Sequence, residues 1–397
     1  MNERRRQRIA WISFFPVEWL DNVPAEVACL PREHPATWQR SLLAQLEKRD
    51  DYEIHVVVLK KHFARSLDFV RNGVHFHLIK TMGGLRAPSL FWLDTLLIRK
   101  RLAGLKPDLV HAWGNERGAA LVASRLGFPA IATVQGLMRW MNGLVPPNRY
   151  QRLLAWLEHQ ALQRSQVATA ESNFSTNYLR REYPHLTVHH VDLAPDPLFS
   201  SIVRTPLTNP PRFVFTGELG PAKGGDLLLV ALDALVSRFN FQLVVIGAMR
   251  ETFRQEMAQR ISPEVWRRIS FRSNLQPPEV AEELAKACLF ICPTRADTGP
   301  LAVKEAAVSG VPIVASAIGG TPDYVCPDQN GLLSTSGDAN SLRDTIAAAL
   351  THPLFSQGQV VGETLSRKRA ELDANLMSNR FTAVYEAALK SRRDHLG

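Results

Sequence analysis

Two carboxylates, Asp297 and Glu305, stand eight residues apart in the stretch PTRADTGPLAVKEAAVSGVPIVASAIGGTPDYVCPDQNGLL, residues 293–333. If all eight steps were helical, 1.5 Å of rise per residue would separate them by about 12 Å. A retaining hydrolase dyad needs roughly 5 Å and an inverting one up to about 9.5 Å, so the pair is poorly spaced for hydrolysis. It suits a long ligand with hydroxyl groups at both ends, one acid gripping each end and phosphate lying between. Upstream, Gly217-Glu218-Leu219-Gly220-Pro221-Ala222-Lys223-Gly224-Gly225 joins an apolar run beginning at Phe213 to an amphipathic run, 226–235. A glycine-rich turn between strand and helix can hold phosphate on free N–H groups, and a mobile ammonium at Lys223 can reach a diphosphate. Alone, that pattern fits a solvated loop lysine equally well.

Positioning these groups requires a helix, a strand and tight turns. Pro300 suits the first helical position, where a missing N–H costs nothing, and Gly310 suits the left-handed stop. The apolar run 311–315 reads as a buried strand, followed by the Gly319-Gly320 loop.

In order, Gly217-Glu218-Leu219, Lys223-Gly224, Asp297-x7-Glu305, Gly310-Val311-Pro312-Ile313-Val314-Ala315 and Gly319-Gly320-Thr321-Pro322-Asp323 resemble the carboxyl lobe of family 4 retaining glycosyltransferases (glycosyl transferases group 1). The resemblance covers 213–333. It implies an α/β GT-B fold: two Rossmann-like lobes with parallel sheets facing a central cleft, and the donor in the second. It further implies a sugar moved from a nucleotide diphosphate sugar to a glycan, lipid-linked or small-molecule acceptor, with retained configuration.

Under that resemblance Lys223 and Asp297 are the catalytic candidates. Gly217, Glu218, Lys223, Gly299, Pro300, Leu301 and Glu305 are the donor-binding ones. Glu305 would take the ribose hydroxyls and Asp297 the donor sugar, while Lys223 and the N–H groups near Gly299 and Leu301 would meet the departing diphosphate. No cofactor or metal is required.

Three departures stand out. Glu218 replaces the family's diphosphate-gripping arginine and is expected to turn away, toward Lys223 or Arg295. Asp297 shortens the first glutamate of the pair. Gln135-Gly136 stands where many members carry His-Gly. Two other readings stay open: a catalytically idle protein that binds nucleotide sugar or polysaccharide, and a phosphorylase built on the same fold.

The chain's 397 residues exceed the usual size of one core, and 45% apolar with 21% charged residues is a globular composition. The expected division is 1–196, 197–374 and a helix over 375–397 that crosses back to the first lobe, with a proline-rich linker at 191–211. Alternating strands (9–15, 54–59, from 107, 130–134, 167–169) and helices (38–49, 89–105, 118–126, 149–164) imply a mostly parallel first sheet. Further strands are expected from Phe213 and at 242–246, 269–271 and 289–292.

No segment is long and apolar enough to span a bilayer, and the start lacks a signal-peptide pattern, so a cytoplasmic location is expected. Cys29, Cys288, Cys292 and Cys326 form neither a disulfide framework nor a zinc spacing. His75-x-His77 and His189-His190 show no third metal ligand.

Residues 1–198 hold 26 Lys+Arg against 18 Asp+Glu, and the remainder 21 against 20. The basic first half should attract an anionic acceptor or a peripheral anionic membrane surface rather than nucleic acid. Strand-end loops there place His34, His111, Trp113, Asn115, Glu116, Gln135 and Gly136 as acceptor-side candidates. A surface loop for His34 and a core position for His111 are the plainer alternatives. Trp140 could be a sugar platform or simple packing.

Overall fold

The computed structural model describes residues 5–115 and 118–396. The chain divides into two compact units, one of 1–193 with 374–397 and the other of 194–373.

The first unit is built on eight strands: β1 Gln7–Ser13, β2 Tyr52–Lys60, β3 Leu67–Arg71, β4 Val74–Lys80, β5 Leu109–Trp113, β6 Ala130–Val134, β7 Val167–Ala170 and β8 Thr187–His190. They lie in the order β3-β4-β2-β1-β5-β6-β7-β8, parallel except at the β3–β4 hairpin. Strands β2 and β5 are almost continuously buried, as expected of parallel strands covered on both faces. The hairpin turns on Asn72 and Gly73, both left-handed at φ 49° and 78°. That is the geometry a two-residue Asn-Gly turn supplies, and it protects the sheet edge with a short strand.

The second unit carries six parallel strands: β9 Arg212–Thr216, β10 Gln242–Ile246, β11 Ile269–Arg272, β12 Leu289–Cys292, β13 Ile313–Ser316 and β14 Gly331–Ser334, in the order β11-β10-β9-β12-β13-β14. One core cluster packs Phe213, Leu228, Leu232 and Val245, and another packs Val214, Phe290, Val303 and Ile313 on the opposite sheet face. Residues 197–201 of the expected linker form a short 3-10 turn. Thr205 and Leu207 N–H groups then donate to the Ala285 and Lys286 carbonyls, pinning the segment onto this unit.

The order in which strands are added reverses between β1 and β5 in one sheet and between β9 and β12 in the other. In open parallel sheets, ligands are held beyond the carboxyl ends of strands at such switch points. Here those ends are Phe14 and Gly114 in the first unit, Gly217 and Pro293 in the second.

Candidate functional site

At the second unit's switch point, two glycines bring the loops together. Gly224 has φ 71°, and a β-carbon there would lie 1.9 Å from the Pro293 carbonyl oxygen. Gly247, at φ 152°, would put one 2.0 Å from the Gly217 oxygen. Only glycine permits both approaches. Gly217 itself has φ 113°, and its N–H donates to the Ile246 carbonyl at 2.9 Å.

Closing the gap this way brings Lys223 onto Asp297. The Nζ donates to Oδ2 at 2.8 Å, with the lysine side chain 44% exposed. Asp297 Oδ1 accepts the Gly299 N–H at 3.2 Å. The helix Leu301–Ser309 follows. Pro300 is its N-cap rather than its first residue, and no side chain caps the first turn. Gly310 ends it in the left-handed conformation at φ 73°. Only the steps from Leu301 onward are therefore helical, so a 12 Å ruler running wholly along a helix does not describe the two acids.

Glu305 lies on that helix, partly buried. Burial, reinforced by the nearby Asp196 charge, pushes its carboxyl up to about 8. Its side chain makes no hydrogen bond or ion pair among the described residues. Asp196 lies in the segment expected to be a linker, where no motif pointed to it.

Glu218 turns away from the turn's centre, but not toward the expected partners. It pairs with Arg250 at 2.7 Å, both side chains exposed. Arg295 is instead committed to Asp226 through two 2.6 Å bonds and to the Pro221 carbonyl at 2.5 Å. Burial alone would raise the Asp226 carboxyl, yet these bonds hold it below its ordinary value. Burial pushes the Cys292 thiol, at the end of β12, up to about 11, in keeping with a core residue.

The first unit's switch point opens into a pocket of about 530 Å³ lined by Phe14, Glu18, His34, Trp38, Trp113 and Gln135, among others. His34 is exposed, its Nδ1 accepting the Ala36 N–H at 3.1 Å and its ring tilted against Trp38. Trp113 is 1% exposed, and its buried Nε1 has no partner among the described residues.

Beneath the pocket, Lys60 donates to the buried Glu18 at 2.6 Å. Sequence reasoning missed this pair, whose members are 42 residues apart and carry no local signal.

Other candidates turn inward. His111 is fully buried, with Nδ1 2.7 Å from the Tyr385 hydroxyl and Nε2 2.6 Å from Thr133 Oγ1. Burial pushes it down to about 3, so the ring is a neutral core group closed to any ligand. Asn115 donates to Glu158 at 2.6 Å and to the Gly136 carbonyl at 3.0 Å. Glu158 in turn accepts the Met138 and Arg139 N–H groups. Asn115 and Gly136 thus brace the loop that presents Gln135. Trp140 packs on Phe174. Glu116 and Arg117 lie outside the described residues.

A third group does join the His75-x-His77 pair: β2 brings Glu53 and His55 alongside, with ligand atoms of Glu53, His55 and His75 within 4.8 Å of one another. The expectation that no further donor comes near is therefore corrected. The His55 and His75 rings stack at 4.6 Å and 18°, however, so their in-plane lone pairs run side by side instead of converging on one ion. His55 is also already bonded to Glu53 at 2.9 Å and to His77 at 3.0 Å.

Two doubly wound parallel-sheet lobes, one with a phosphate-ready turn at its switch point, define a GT-B architecture. The model described as "Glycosyl transferases group 1" matches residues 210–352, and "Glycosyltransferase Family 4" matches 36–193. The chain belongs to glycosyltransferase family 4 and is a glycosyltransferase enzyme.

Among curated relatives, a GDP-mannose-dependent monoacylated alpha-(1-6)-phosphatidylinositol monomannoside mannosyltransferase of Corynebacterium glutamicum is 26% identical over 45% of this chain. The match spans about half, 47%, of that relative's length. A GDP-mannose-dependent alpha-mannosyltransferase of Mycolicibacterium smegmatis is 25% identical, covering 82% of this chain and 86% of its own. Sucrose-phosphate synthase from Thermosynechococcus elongatus shares the fold with a TM-score of 0.80 at 17% identity, over 97% of this chain and 100% of the other. No helix among the described residues is long and apolar enough to cross a membrane.

Proposed function

We propose that the protein moves a glycosyl group from a nucleoside diphosphate sugar to an acceptor hydroxyl with retention of anomeric configuration. One observation carries the reading: the Lys223–Asp297 pair closes the second unit's switch point beside an uncapped helix start at Leu301, on the helix that carries Glu305.

In this reading Glu305 accepts the ribose hydroxyls, which supply the hydrogen bonds its carboxyl lacks. Lys223 and the first-turn N–H groups meet charge growing on the departing diphosphate, the largest electrostatic demand of the reaction. Asp297 orients the donor sugar and holds Lys223 in place. The sugar C1–phosphate oxygen bond breaks, the C1–acceptor oxygen bond forms on the same face, and the acceptor proton passes to the diphosphate oxygen.

Two relatives whose names specify GDP-mannose make it the first donor to try. A lipid-linked acceptor is favoured by the polar pocket and an apolar groove of about 710 Å³, which share Phe14 in their linings.

The test is nucleotide release from a panel of GDP-, UDP- and ADP-sugars, with acceptor and with or without phosphate, and the product anomer read by NMR. Inverted product, or release that requires free phosphate, overturns the reading.

A further inference from the structure

Large apolar side chains are exposed unevenly. Of the fourteen that stand exposed among the described residues, six lie between 82 and 97 and four between 144 and 156, all in the first unit. Trp92, Leu93, Leu96 and Leu97 fill the outward face of the first two turns of the helix Trp92–Leu105, whose inward face buries Ile98 and Leu102. A helix apolar on both faces at a surface has an unmet partner. Trp156 continues the face on the helix Arg149–Arg164.

The apolar groove of about 710 Å³ connects the two segments, lined by Gly83, Pro88, Phe91, Met138, Tyr150 and Leu154 among others. Arg125 braces the first segment, its guanidinium 4.4 Å from the Trp92 ring centre and bonded to the Leu90 carbonyl at 2.7 Å.

Charge identifies the occupant. Residues 82–101 and 138–164 hold eight Lys+Arg and two acids, Asp94 and Glu158. Both acids are 1% exposed and already bonded inward. What these segments show to solvent is therefore apolar and cationic, including Arg99, Lys100, Arg149 and Arg152. A second copy docked by two-fold symmetry would set cation against cation. An anionic bilayer would accept the arginines at its headgroups and the tryptophan and leucines at the acyl boundary.

We propose that this face docks the protein on an anionic phospholipid surface, with Trp92, Leu96 and Leu144 entering the lipid. The proposal goes beyond the transfer reading and does not rest on it, since binding can be measured without donor.

Full-length protein is floated with phosphatidylcholine vesicles, with and without phosphatidylglycerol, at low and high salt. Binding to the anionic vesicles should exceed that to the neutral ones by at least about tenfold and fall with salt. The double variant Leu96→Glu, Leu144→Glu should lose about tenfold or more, as should Arg99→Glu with Lys100→Glu. Val203→Glu, an exposed apolar position in the second unit, should change nothing. Circular dichroism and nucleotide binding report that each variant is folded.

Equal vesicle binding by the folded double variant overturns the proposal. So does a lack of preference for anionic lipid, or a concentration-dependent dimer that Leu96→Glu breaks while vesicle binding stays.

Discussion

The two units solve the same problem with different materials. In 194–373 the switch point is made of backbone: glycines at 224 and 247 let loops approach to distances no side chain would allow, Lys223 and Asp297 ride on those turns, and Glu305 on the helix that follows. In 1–193 the corresponding place is made of side chains from far apart. Glu18 and Lys60 pair beneath it, and Trp113 rests on a buried histidine. A backbone-built site is fixed by local sequence and should tolerate little change. A packing-built site can be relined while the sheet stays the same. That contrast suits a donor held in one way and acceptors that differ.

Lys223→Ala should give the largest effect, lowering transfer by about 10²–10³ with nucleotide binding and fold retained, because it removes charge stabilisation at the leaving group. Initial rates of nucleotide release measure it, and unchanged turnover would erase the distinction drawn for the second unit.

Glu305 sharpens it through pH. The folded carboxyl sits at about 8 against an ordinary 4.5, so the folded state holds the proton more tightly than the unfolded state. Its contribution to stability is complete below about 4.5 and is lost as pH rises through about 8. Thermal melting of the ligand-free protein should fall over that window relative to Glu305→Gln. If ribose hydroxyls need the carboxylate, nucleotide affinity should rise by up to roughly tenfold per pH unit below about 8, and Glu305→Gln should flatten the rise.

Asp297→Asn should lower transfer by about tenfold or more while free nucleotide binds within about threefold of wild type, since loss of the Lys223 pair disturbs the sugar end first. Calorimetry with nucleoside diphosphate and single-turnover rates separate the two. Equal damage to both would merge the roles of the two acids.

In the first unit, Trp113→Phe removes a buried N–H that has no partner among the described residues. Acceptor kcat/KM should fall by about fivefold, with acceptor-independent donor hydrolysis unchanged, if a ligand supplies that partner. An unchanged acceptor KM would make Trp113 simple packing.

The smallest effect belongs to Glu218→Arg. The Glu218–Arg250 pair is exposed and contributes at most about 1 kcal/mol, so donor affinity should shift by no more than about fivefold, and by less as salt is added. Abolished transfer would give the glutamate a positive role.

The same contrast explains what could be read in advance. Parallel sheets, the Gly217–Gly225 turn and the Gly310 stop follow from local spacing, because turns and caps are local chemistry, whereas the roles expected of the second unit's candidates come from the family resemblance. Asn72-Gly73 is an equally local hairpin signal between β3 and β4, masked by the short, half-exposed β3 that precedes it. The Glu18–Lys60 pair and the Asp196 influence on Glu305 depend on tertiary proximity, which no spacing rule carries. The partner of Glu218 differs from expectation because Arg250, beyond β10, reaches it first. His111 shows the reverse difficulty: expected at a strand end, it lies in the middle of β5, where Tyr385, 274 positions away, closes over it.

That closure has a temporal side. The Tyr385 hydroxyl lies 3.1 Å from Trp11 Nε1 and 2.7 Å from His111 Nδ1, and it arrives on the helix Ala374–Leu396. A ribosome therefore releases all of 194–373 before the earlier unit receives its final piece. Order of synthesis and order of completion are opposite. A released chain ending at Asp373 would carry all of the second unit and a first one with Trp11 and His111 still waiting for their partner.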